Sequence, residues 1–305
     1  MAVDIIISEV GPRDGLQNIK TAMPTQAKMA WIEAQFEAGT REIEVGSFVP
    51  PKLLPQMADT AEVVAFATTL TGLDVAALVP NLRGLESAVA AGVHKVSIPF
   101  SMSEAHSIRN VRKSHAEMLQ EIRRCMAYLQ TLPEARRPQF EVGLSTAFGC
   151  TIEGPVPEDR VIRMAVEVVA MGVDEVCLSD TTGYGNPAQL KRLAQGIWAA
   201  CGAEKLTSVH LHNTRGQGLA NALMAVEIGI TTIDSSLGGI GGCPWAPGAS
   251  GNIVTEDLTW MLESMGLATG IDLDRLLAVR KLVQQALPGE PMYGFLAEAG
   301  LPKLN

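Results

Sequence analysis

Short β-branched runs alternate with segments of helical periodicity along most of the chain, and this alternation limits the possible folds more than any other feature. The apolar runs cover residues 3–10, 41–47, 74–80, 95–101, 139–146, 174–180, 207–213 and 231–237. Helical periodicity lies between them, at 24–38, 56–69, 84–91, 114–130, 158–171, 187–201 and 216–228. Because a crossover helix has to connect consecutive parallel strands, eight units of about 30 to 35 residues predict an α/β fold of the (β/α)8 TIM-barrel type.

A doubly wound parallel sheet is the alternative to a closed barrel. Such sheets typically carry a Gly-x-Gly-x-x-Gly motif after the first strand, and none follows the first apolar run here. The composition does not change midway, and no linker rich in Pro, Ser or charge divides the chain. We therefore expect one domain over residues 1–305, with additional C-terminal helices at about 254–265 and 272–286 in an extension of about 254–305.

Charge and cysteine usage exclude several classes of partner. The chain has a net charge of −9, a pI of about 5.1 and no basic run, so neither nucleic acid nor an anionic membrane surface is an expected partner. Five scattered cysteines without a CxxC pair favour free thiols in a reducing compartment. Since the first residues lack the features of a signal peptide and no apolar run has transmembrane length, we expect a cytoplasmic protein.

Polar residues gather where the predicted strands end, which is where TIM barrels carry their active sites. They are Arg13 and Asp14 after strand one, Glu44 and Ser47 at strand two, Ser145 at strand five and Asp180 at strand six. Strand seven ends with His210 and His212, which point to the same face if the strand continues through them. The sequence therefore predicts a polar site at the C-terminal mouth of the barrel.

The two histidines suggest a metal site. A hard divalent cation, Mg²⁺ or Mn²⁺, prefers oxygen ligands and accepts imidazole. Asp14, His210, His212 and Asn252 could supply such a set of ligands. Zinc is the alternative metal, because Cys243, in the glycine-rich segment that also contains Asn252, could be a thiolate ligand. The other three histidines, at 94, 106 and 115, are expected to be ordinary surface or loop residues, although a loop carrying His106 could overhang the site.

Two loops carry most of the chemical information. In residues 9–18, Pro12 and Gly15 are typical of a tight turn that brings Arg13 and Asp14 over the mouth, where a guanidinium can hold a developing enolate. Residues 238–252 form a glycine-rich loop with Cys243, a candidate acid or base. Flexibility alone, or a phosphate cradle, would also account for the glycines of this loop.

Several motifs together resemble one family. They are "VGPRDGLQN", "IEVGSFVPPKLLPQM", "VPNLRG", "LSDTTGYGNP", "HLHNTRGQGLANALMA" and "GGIGGCPWAPGASGNIVTEDL". In this order, from about Ile5 to Ala286, they are similar to the 3-hydroxy-3-methylglutaryl-CoA (HMG-CoA) lyases, part of a wider group of metal-dependent TIM-barrel lyases and synthases. The resemblance implies a carbon–carbon lyase that splits the acyl-CoA into acetoacetate and acetyl-CoA by a retro-Claisen reaction.

The resemblance also implies roles for individual residues. Asp14, His210, His212 and Asn252 match the metal ligands, for Mg²⁺ or Mn²⁺; Arg13 matches the residue that stabilises the enolate; and Cys243 matches the loop cysteine of proton transfer. Asp14 or His210 would be the general base. The expected substrate-binding or supporting residues are Gln17, Glu44, Ser47, Ser145, Asp180, Asn213 and Glu256.

The chain departs from the family pattern at three places. Asn213 and Arg215 replace an expected Asp and Tyr beside the ligands, residues 146–151 read "TAFGCT", and the 101–114 loop carries His106 and Arg112. These changes spare the metal ligands and would touch the acyl group or the CoA arm. They leave open the same chemistry on a related 3-hydroxy-3-methyl acyl-CoA, such as citramalyl-CoA or a longer 3-substituted hydroxyglutaryl-CoA.

Three other functions and a possible homo-oligomer remain to be considered. A Claisen-type synthase, a keto-acid aldolase and a non-catalytic binding protein are the remaining alternatives. The chain ends about 70 residues after the last predicted strand, which leaves no room for a synthase regulatory domain. An apolar stripe over residues 273–287 could support a homo-oligomer, a dimer or a tetramer, although such a stripe also suits core packing.

Overall fold

Eight parallel strands close into a barrel in the computed structural model, which describes residues 3–241 and 251–303. Their bounds are Ile6–Glu9 (β1), Glu42–Ser47 (β2), Asp74–Leu78 (β3), Lys95–Ser101 (β4), Gln139–Ser145 (β5), Glu175–Ser179 (β6), Ser208–His210 (β7) and Thr232–Ser235 (β8). Each strand pairs with its neighbour in sequence, and β1 pairs with β8 in the register Ile6↔Thr232, which closes the barrel. The predicted (β/α)8 barrel is confirmed.

Helices follow the strands in the order that the periodicity predicts. They are Thr25–Glu37 (α1), Thr60–Ala67 (α2), Leu82–Ala91 (α3), Glu104–Val111 (α4), His115–Gln130 (α5), Glu158–Val169 (α6), Pro187–Cys201 (α7), Gly218–Ile228 (α8), Thr255–Ser264 (α9), Leu273–Ala286 (α10) and Leu296–Ala299 (α11). Local capping fixes several starts. For example, Ser114 accepts from the backbone N–H of Glu117, whose side chain returns to the Ser114 backbone, and this capping box begins α5.

Two local predictions were wrong. Residues 104–111 of the expected 101–114 loop form α4, which Ser103 caps and which ends at Arg112 in the left-handed region (φ 58°). The segment is short and largely polar, so it lacks the apolar periodicity that would reveal a helix. The expected tight turn after β1 is a single π-helical turn over Gly11–Gly15.

The strands divide their side chains between the helical layer and the barrel interior. In β5, Phe140, Val142 and Leu144 belong to the hydrophobic core, whereas Glu141, Gly143 and Ser145 line a cavity inside the barrel. This alternation is the two-residue period of a strand. The core therefore lies between the sheet and its helices, and the interior is left to polar residues.

The C-terminal helices pack onto the barrel. α10 packs against α1, with Leu276, Val279 and Val283 buried. The apolar stripe of residues 273–287 thus contributes to the core of the chain itself. Within residues 3–241 and 251–303, none of the helices combines the length and apolarity that crossing a membrane requires.

Candidate active site

The π-helical turn after β1 presents Arg13 and Asp14 at the barrel mouth. The buried carboxylate of Glu9 holds this turn, because Oε1 accepts from the backbone N–H groups of Gly11 and Leu237, both at 2.9 Å. Gly11 is required here, since a Cβ would lie 2.5 Å from Glu9 Oε1 and 2.7 Å from the Trp31 ring. One buried carboxylate therefore joins the loops after β1 and β8.

Three candidate metal ligands converge at this mouth. Asp14 Oδ2 lies 3.9 Å from the Nε2 atoms of both His210 and His212, and these two nitrogens are 3.1 Å apart. Potential ligand atoms of the three residues all lie within 4.8 Å of one another. His212 lies beyond the end of β7 and is held by a bridge to Asn252. We call Asp14, His210, His212 and Asn252 the ligand cluster.

The ligand cluster fits a hard divalent cation. Asn252 donates from Nδ2 to Asp14 Oδ2 at 2.7 Å, while its Oδ1 is buried without a hydrogen-bond partner among the described residues. An orphaned buried oxygen beside a carboxylate and two imidazoles is a donor set that Mg²⁺ or Mn²⁺ accepts. Two Nε2 atoms at 3.1 Å cannot both carry a proton, so at least one presents its lone pair to this space.

Electrostatics keep the ligand cluster in its metal-binding forms. Burial, together with the neighbouring His210, lowers the pKa of His212 to about 4, so its imidazole is neutral at pH 7. Burial would raise the pKa of Asp14, but Arg13 and the two histidines outweigh it and hold that pKa below its usual value. Asp14 is therefore ionised throughout the neutral range.

Asp234 on β8 orients His210. Its Oδ2 lies 3.0 Å from His210 Nδ1, which leaves Nε2 facing Asp14. Burial disfavours the charged imidazole, yet the hydrogen bond and charge of Asp234 raise the pKa of His210 above its usual value. A carboxylate behind a histidine is the usual outer support of a metal ligand. Asp234 was not among the predicted site residues; its one signal in the sequence is an acidic residue inside an apolar strand.

Arg13 is fixed beside the ligand cluster by two carboxylates. Its Nε donates to Glu44 Oε2, and Nη1 donates to Asp14 Oδ1 at 2.6 Å. Gln17 also donates to Asp14 Oδ1, at 2.9 Å, and Ser97 donates to Glu44 Oε1 at 2.8 Å. Burial raises the pKa of Glu44, although the charge of Arg13 opposes this effect. The guanidinium thus has a set position next to the candidate metal site.

A cavity of about 620 Å³ joins the ligand cluster to the barrel interior and to the mouth. Ser145 lines this cavity, as do Gln17 and Glu44. At the mouth its wall includes Arg109, Arg112 and Lys113, which we call the basic rim. The chain as a whole has a net charge of −9, so this local group of cations stands out from the acidic surface. Such a group suits an anionic ligand such as a phosphate.

His106 of α4 lies at the cavity wall and is buried, with 3% exposure. Its Nδ1 is 2.5 Å from the Ser101 hydroxyl at the end of β4. The expectation that His106 is an ordinary surface or loop residue is therefore wrong, whereas the alternative, that His106 lies over the site, agrees with its place in the cavity wall, although on a helix and not on a loop. Burial, with the nearby charge of Arg109, lowers the pKa of His106, which keeps this imidazole neutral at pH 7.

Four predicted supporting residues, Ser47, Asp180, Asn213 and Glu256, lie outside the cavity wall and brace loops or strand ends. The Ser47 hydroxyl accepts from the N–H of Val49 at 3.4 Å. Asp180 accepts from the N–H groups of Tyr184 and Gly185, at 2.9 and 3.0 Å, and burial raises the pKa of Asp180 to about 6. Its own N–H donates to the carbonyl of His210 at 2.8 Å, which ties this residue to a ligand.

Glu256 supports the loop after β8 from α9. It is fully buried, accepts from the N–H of Gly238 at 2.9 Å and pairs with Arg280 at 2.7 Å. The same guanidinium donates to the carbonyl of Tyr293. Glu256 therefore links the glycine-rich loop to α10 and to the C-terminal segment.

The two departures beside the ligands also brace loops. Asn213 Oδ1 accepts from the N–H of Gly218 at 3.0 Å, at the start of α8. Arg215 donates to the carbonyls of Thr182 and Gly183 and lies 4.4 Å over the Tyr184 ring. Neither contributes to the cavity wall that the described residues form. Cys243 lies outside the described residues.

Comparisons with known proteins agree with this geometry. The HMGL-like family model matches residues 4–283. The hydroxymethylglutaryl-CoA lyase YngG of Bacillus subtilis is 40% identical over 288 residues, which are 94% of each chain. The mitochondrial hydroxymethylglutaryl-CoA lyase of Macaca fascicularis is 42% identical over 92% of this chain and 85% of the relative.

A solved structure is similar over nearly the whole chain. The HMG-CoA lyase of Acinetobacter baumannii, in complex with coenzyme A and 3-methylmalate, has a TM-score of 0.91 and 38% identity, and the match covers 99% of this chain and 96% of that chain. Similarity of this extent includes the barrel, the loops that carry the ligand cluster and the C-terminal helices. The chain belongs to the HMGL-like family.

Proposed function

We propose that the protein is a metal-dependent carbon–carbon lyase that cleaves HMG-CoA to acetoacetate and acetyl-CoA. The observation that carries the proposal is the convergence of Asp14, His210 and His212 beside the fixed guanidinium of Arg13 in one cavity. Relatives named hydroxymethylglutaryl-CoA lyases, at about 40% identity over more than 90% of this chain, support the same activity.

The ligand cluster would hold Mg²⁺ or Mn²⁺. When bound, the cation would lower the pKa of the tertiary hydroxyl of the substrate. Asn252 would add its amide oxygen to the carboxylate and imidazole donors, because that oxygen is otherwise buried without a partner among the described residues. Asp234 would keep Nε2 of His210 directed at this position.

Cleavage requires a proton acceptor for the tertiary hydroxyl. Asp14 is the weaker base of the two candidates, since its pKa is held below its usual value. His210 is the stronger, because the hydrogen bond to Asp234 raises its pKa. The accepting atom would be Nε2, because Nδ1 of His210 faces Asp234.

The bond that breaks lies between the carbon bearing the hydroxyl and the carbon next to the thioester carbonyl. Its electrons form the enolate of acetyl-CoA, and Arg13 would stabilise the oxygen of this enolate by charge and hydrogen bonds. Glu44 and Asp14 hold the guanidinium ready, so little rearrangement is needed. We assign protonation of the enolate carbon to Cys243 on the strength of the family resemblance.

The CoA arm would leave the cavity over the basic rim. Arg109, Arg112 and Lys113 lie at the mouth, where Lys113 pairs with Glu121 at 2.8 Å, and guanidinium and ammonium groups recognise phosphates. A chain with a net charge of −9 would otherwise repel an anionic thioester. The basic rim is therefore the expected contact of the CoA phosphates.

The substrate assignment is tested by product analysis. Purified protein with Mn²⁺ is offered HMG-CoA and citramalyl-CoA in parallel, and acetyl-CoA, acetoacetate and pyruvate are quantified. Formation of acetyl-CoA and acetoacetate in equal amounts from HMG-CoA supports the proposal. Cleavage of citramalyl-CoA alone, with pyruvate as the second product, would reassign the substrate, and cleavage of neither would remove the lyase function.

The location and assembly of the protein are also proposed. We propose a homo-oligomer, a dimer or a tetramer, in the cytoplasm. Light scattering coupled to size-exclusion chromatography gives the mass in solution, and a mass of 32.4 kDa, that of a monomer, would contradict the proposed homo-oligomer. Cell fractionation gives the location.

A further inference from the structure

The barrel interior below the ligand cluster is hollow. TIM barrels usually fill this space with layers of bulky branched side chains. Here the cavity wall is made at several strands by small residues: Ser8, Ala76, Ser97, Gly143, Cys177 and Ser179. We call the space that they line the lower cavity. It ends at Lys95 and Glu141, which also line it.

Gly143 on β5 has no local structural requirement for glycine. Its backbone is not in the left-handed region, and an added Cβ would lie 3.8 Å from Ser179 Oγ and 3.9 Å from the Ile98 carbonyl, which are ordinary contacts. By contrast, a Cβ at Gly46 on β2 would lie 2.6 Å from Thr60 Oγ1. Glycine weakens a strand interior and often marks the close approach of a ligand. Gly143 thus keeps the lower cavity wide.

The wall of the lower cavity offers hydrogen bonds at its serine hydroxyls, between apolar stretches such as Ala76 and Gly143. Ser145 and Ser179 line it with side chains that each carry a hydroxyl group. A neutral group that donates and accepts would satisfy both hydroxyls. An alkyl group would displace water from these hydroxyls without replacing its hydrogen bonds, which costs free energy.

The floor of the lower cavity disfavours an anion. Lys95 is already paired with Glu141 at 3.0 Å, Glu175 at 3.1 Å and Glu42 at 3.6 Å. Burial raises the pKa of Glu141 to about 8; Lys95 opposes this effect, and the charges of Glu175 and Asp234 add to it. The carboxylate of a glutaryl substrate would therefore lie elsewhere, and a neutral branch would enter the lower cavity.

We propose that the preferred substrate carries, on the carbon with the tertiary hydroxyl, a branch longer than methyl that ends in a hydroxyl group and lies over Gly143 against Ser145 and Ser179. This inference rests on the proposed lyase function at the same site. The chemistry is unchanged: the carbon–carbon bond next to the branched carbon breaks, the hydroxyl loses its proton and becomes a ketone, and the enolate of acetyl-CoA takes up a proton. The products are acetyl-CoA and a 3-oxo acid that carries the branch, with no oxidant or reductant.

The test compares three 3-hydroxyglutaryl-CoA thioesters whose branch is methyl, propyl or 2-hydroxyethyl, with Mn²⁺ and acetyl-CoA release as the readout. Propyl and 2-hydroxyethyl have the same length and differ in one polar atom. We expect kcat/KM for the hydroxyethyl compound to exceed that for either alkyl compound by about tenfold, the lower range for one group in a fitted pocket. A value no higher than that for the methyl compound overturns the proposal, whereas no acetyl-CoA from any of the three refutes the lyase function itself.

Two variants test the location of the branch. In Gly143→Val, the ratio of kcat/KM between the hydroxyethyl and the methyl compound should fall about tenfold or more, because the added side chain occupies the lower cavity. Gly143→Ala, whose Cβ makes only ordinary contacts, should lower the same ratio by a smaller factor and provides the measurement if the valine variant does not fold. In Ser179→Ala the preference for hydroxyethyl over propyl should fall. Unchanged ratios in the glycine variants, or an unchanged preference in Ser179→Ala, would overturn the placement.

Discussion

Replacement of Asp234 tests whether the carboxylate behind His210 prepares this histidine for metal binding. Asp234 Oδ2 is 3.0 Å from Nδ1, and both side chains are largely buried. In Asp234→Asn the amide oxygen can still accept the hydrogen bond, but the negative charge is lost. In Asp234→Ala both the charge and the acceptor are lost, so the two variants separate the contributions.

The size of the effect follows from the contact. A hydrogen bond to a charged group contributes about 1.5–3 kcal/mol, and each 1.4 kcal/mol corresponds to a factor of about ten in affinity. We therefore expect the Kd for Mn²⁺ to rise about tenfold in Asp234→Asn and about 100-fold in Asp234→Ala, which is also the range found for outer partners of metal ligands. kcat/KM at subsaturating metal should fall by similar factors.

The assay is a Mn²⁺ titration followed by electron paramagnetic resonance, with kcat/KM for HMG-CoA measured on the same samples. Asp274→Asn is the matched control, because Asp274 is exposed on α10 and does not line the cavity. The control should leave the Mn²⁺ affinity unchanged. If both Asp234 variants bind Mn²⁺ within twofold of the unaltered protein, the reasoning about His210 is wrong.

Three further predictions address the same site. Arg13→Gln should lower kcat by about 10²–10³-fold, as loss of an oxyanion donor does, while isothermal titration finds Mn²⁺ affinity unchanged; loss of metal binding would contradict the role of Arg13. Gly11→Ala should destabilise the protein by about 1–3 kcal/mol in urea unfolding, since the new Cβ would meet Glu9 and Trp31, and an unchanged midpoint would contradict the crowding. The pKa of His212 is lowered to about 4 in the folded protein, whereas an unperturbed histidine titrates near 6.5. As the pH falls from 6.5 to 4, the unfolded chain therefore binds a proton that the folded chain does not, and metal-free protein should lose on the order of 3 kcal/mol of stability. An identical pH profile in His212→Gln would oppose this.

The barrel could be predicted from the sequence because strand and helix periods repeat along the chain. The ends of the strands then located Asp14, His210 and His212 at one mouth, and the described structure brings these residues together. Strand seven was predicted to continue to residue 213, three residues beyond the end of β7 at His210. His212 nevertheless belongs to the ligand cluster, because a β-bridge to Asn252 holds its backbone in place beyond the end of the strand.

Other parts of the site depend on contacts between residues distant in sequence. The role of Asp234 depends on its contact with His210, and the role of Glu9 depends on its hydrogen bonds with the N–H groups of Gly11 and Leu237. Periodicity carries no information on such pairs. Arg215 was expected to touch the acyl group or the CoA arm, but its three contacts with residues 182–184 hold it against a neighbouring loop.

The lower cavity also escaped prediction. Each small residue on its strand is unremarkable when read alone, because Ser, Ala and Gly occur throughout α/β proteins. Only the closed barrel places Ser97, Gly143 and Ser179 on neighbouring strands around one space. The resulting void depends on the sum of side-chain volumes at facing positions, a property of packing and not of local sequence.

The most direct test of the account is a Mn²⁺ titration of metal-stripped protein in which bound metal and acetyl-CoA release from HMG-CoA are measured together. We predict one tightly bound Mn²⁺ per chain, activity that rises in parallel with occupancy, and loss of both in the double variant His210→Ala/His212→Ala. Full activity in the metal-stripped protein, or unchanged Mn²⁺ binding in the double variant, would contradict a catalytic metal held by Asp14, His210, His212 and Asn252.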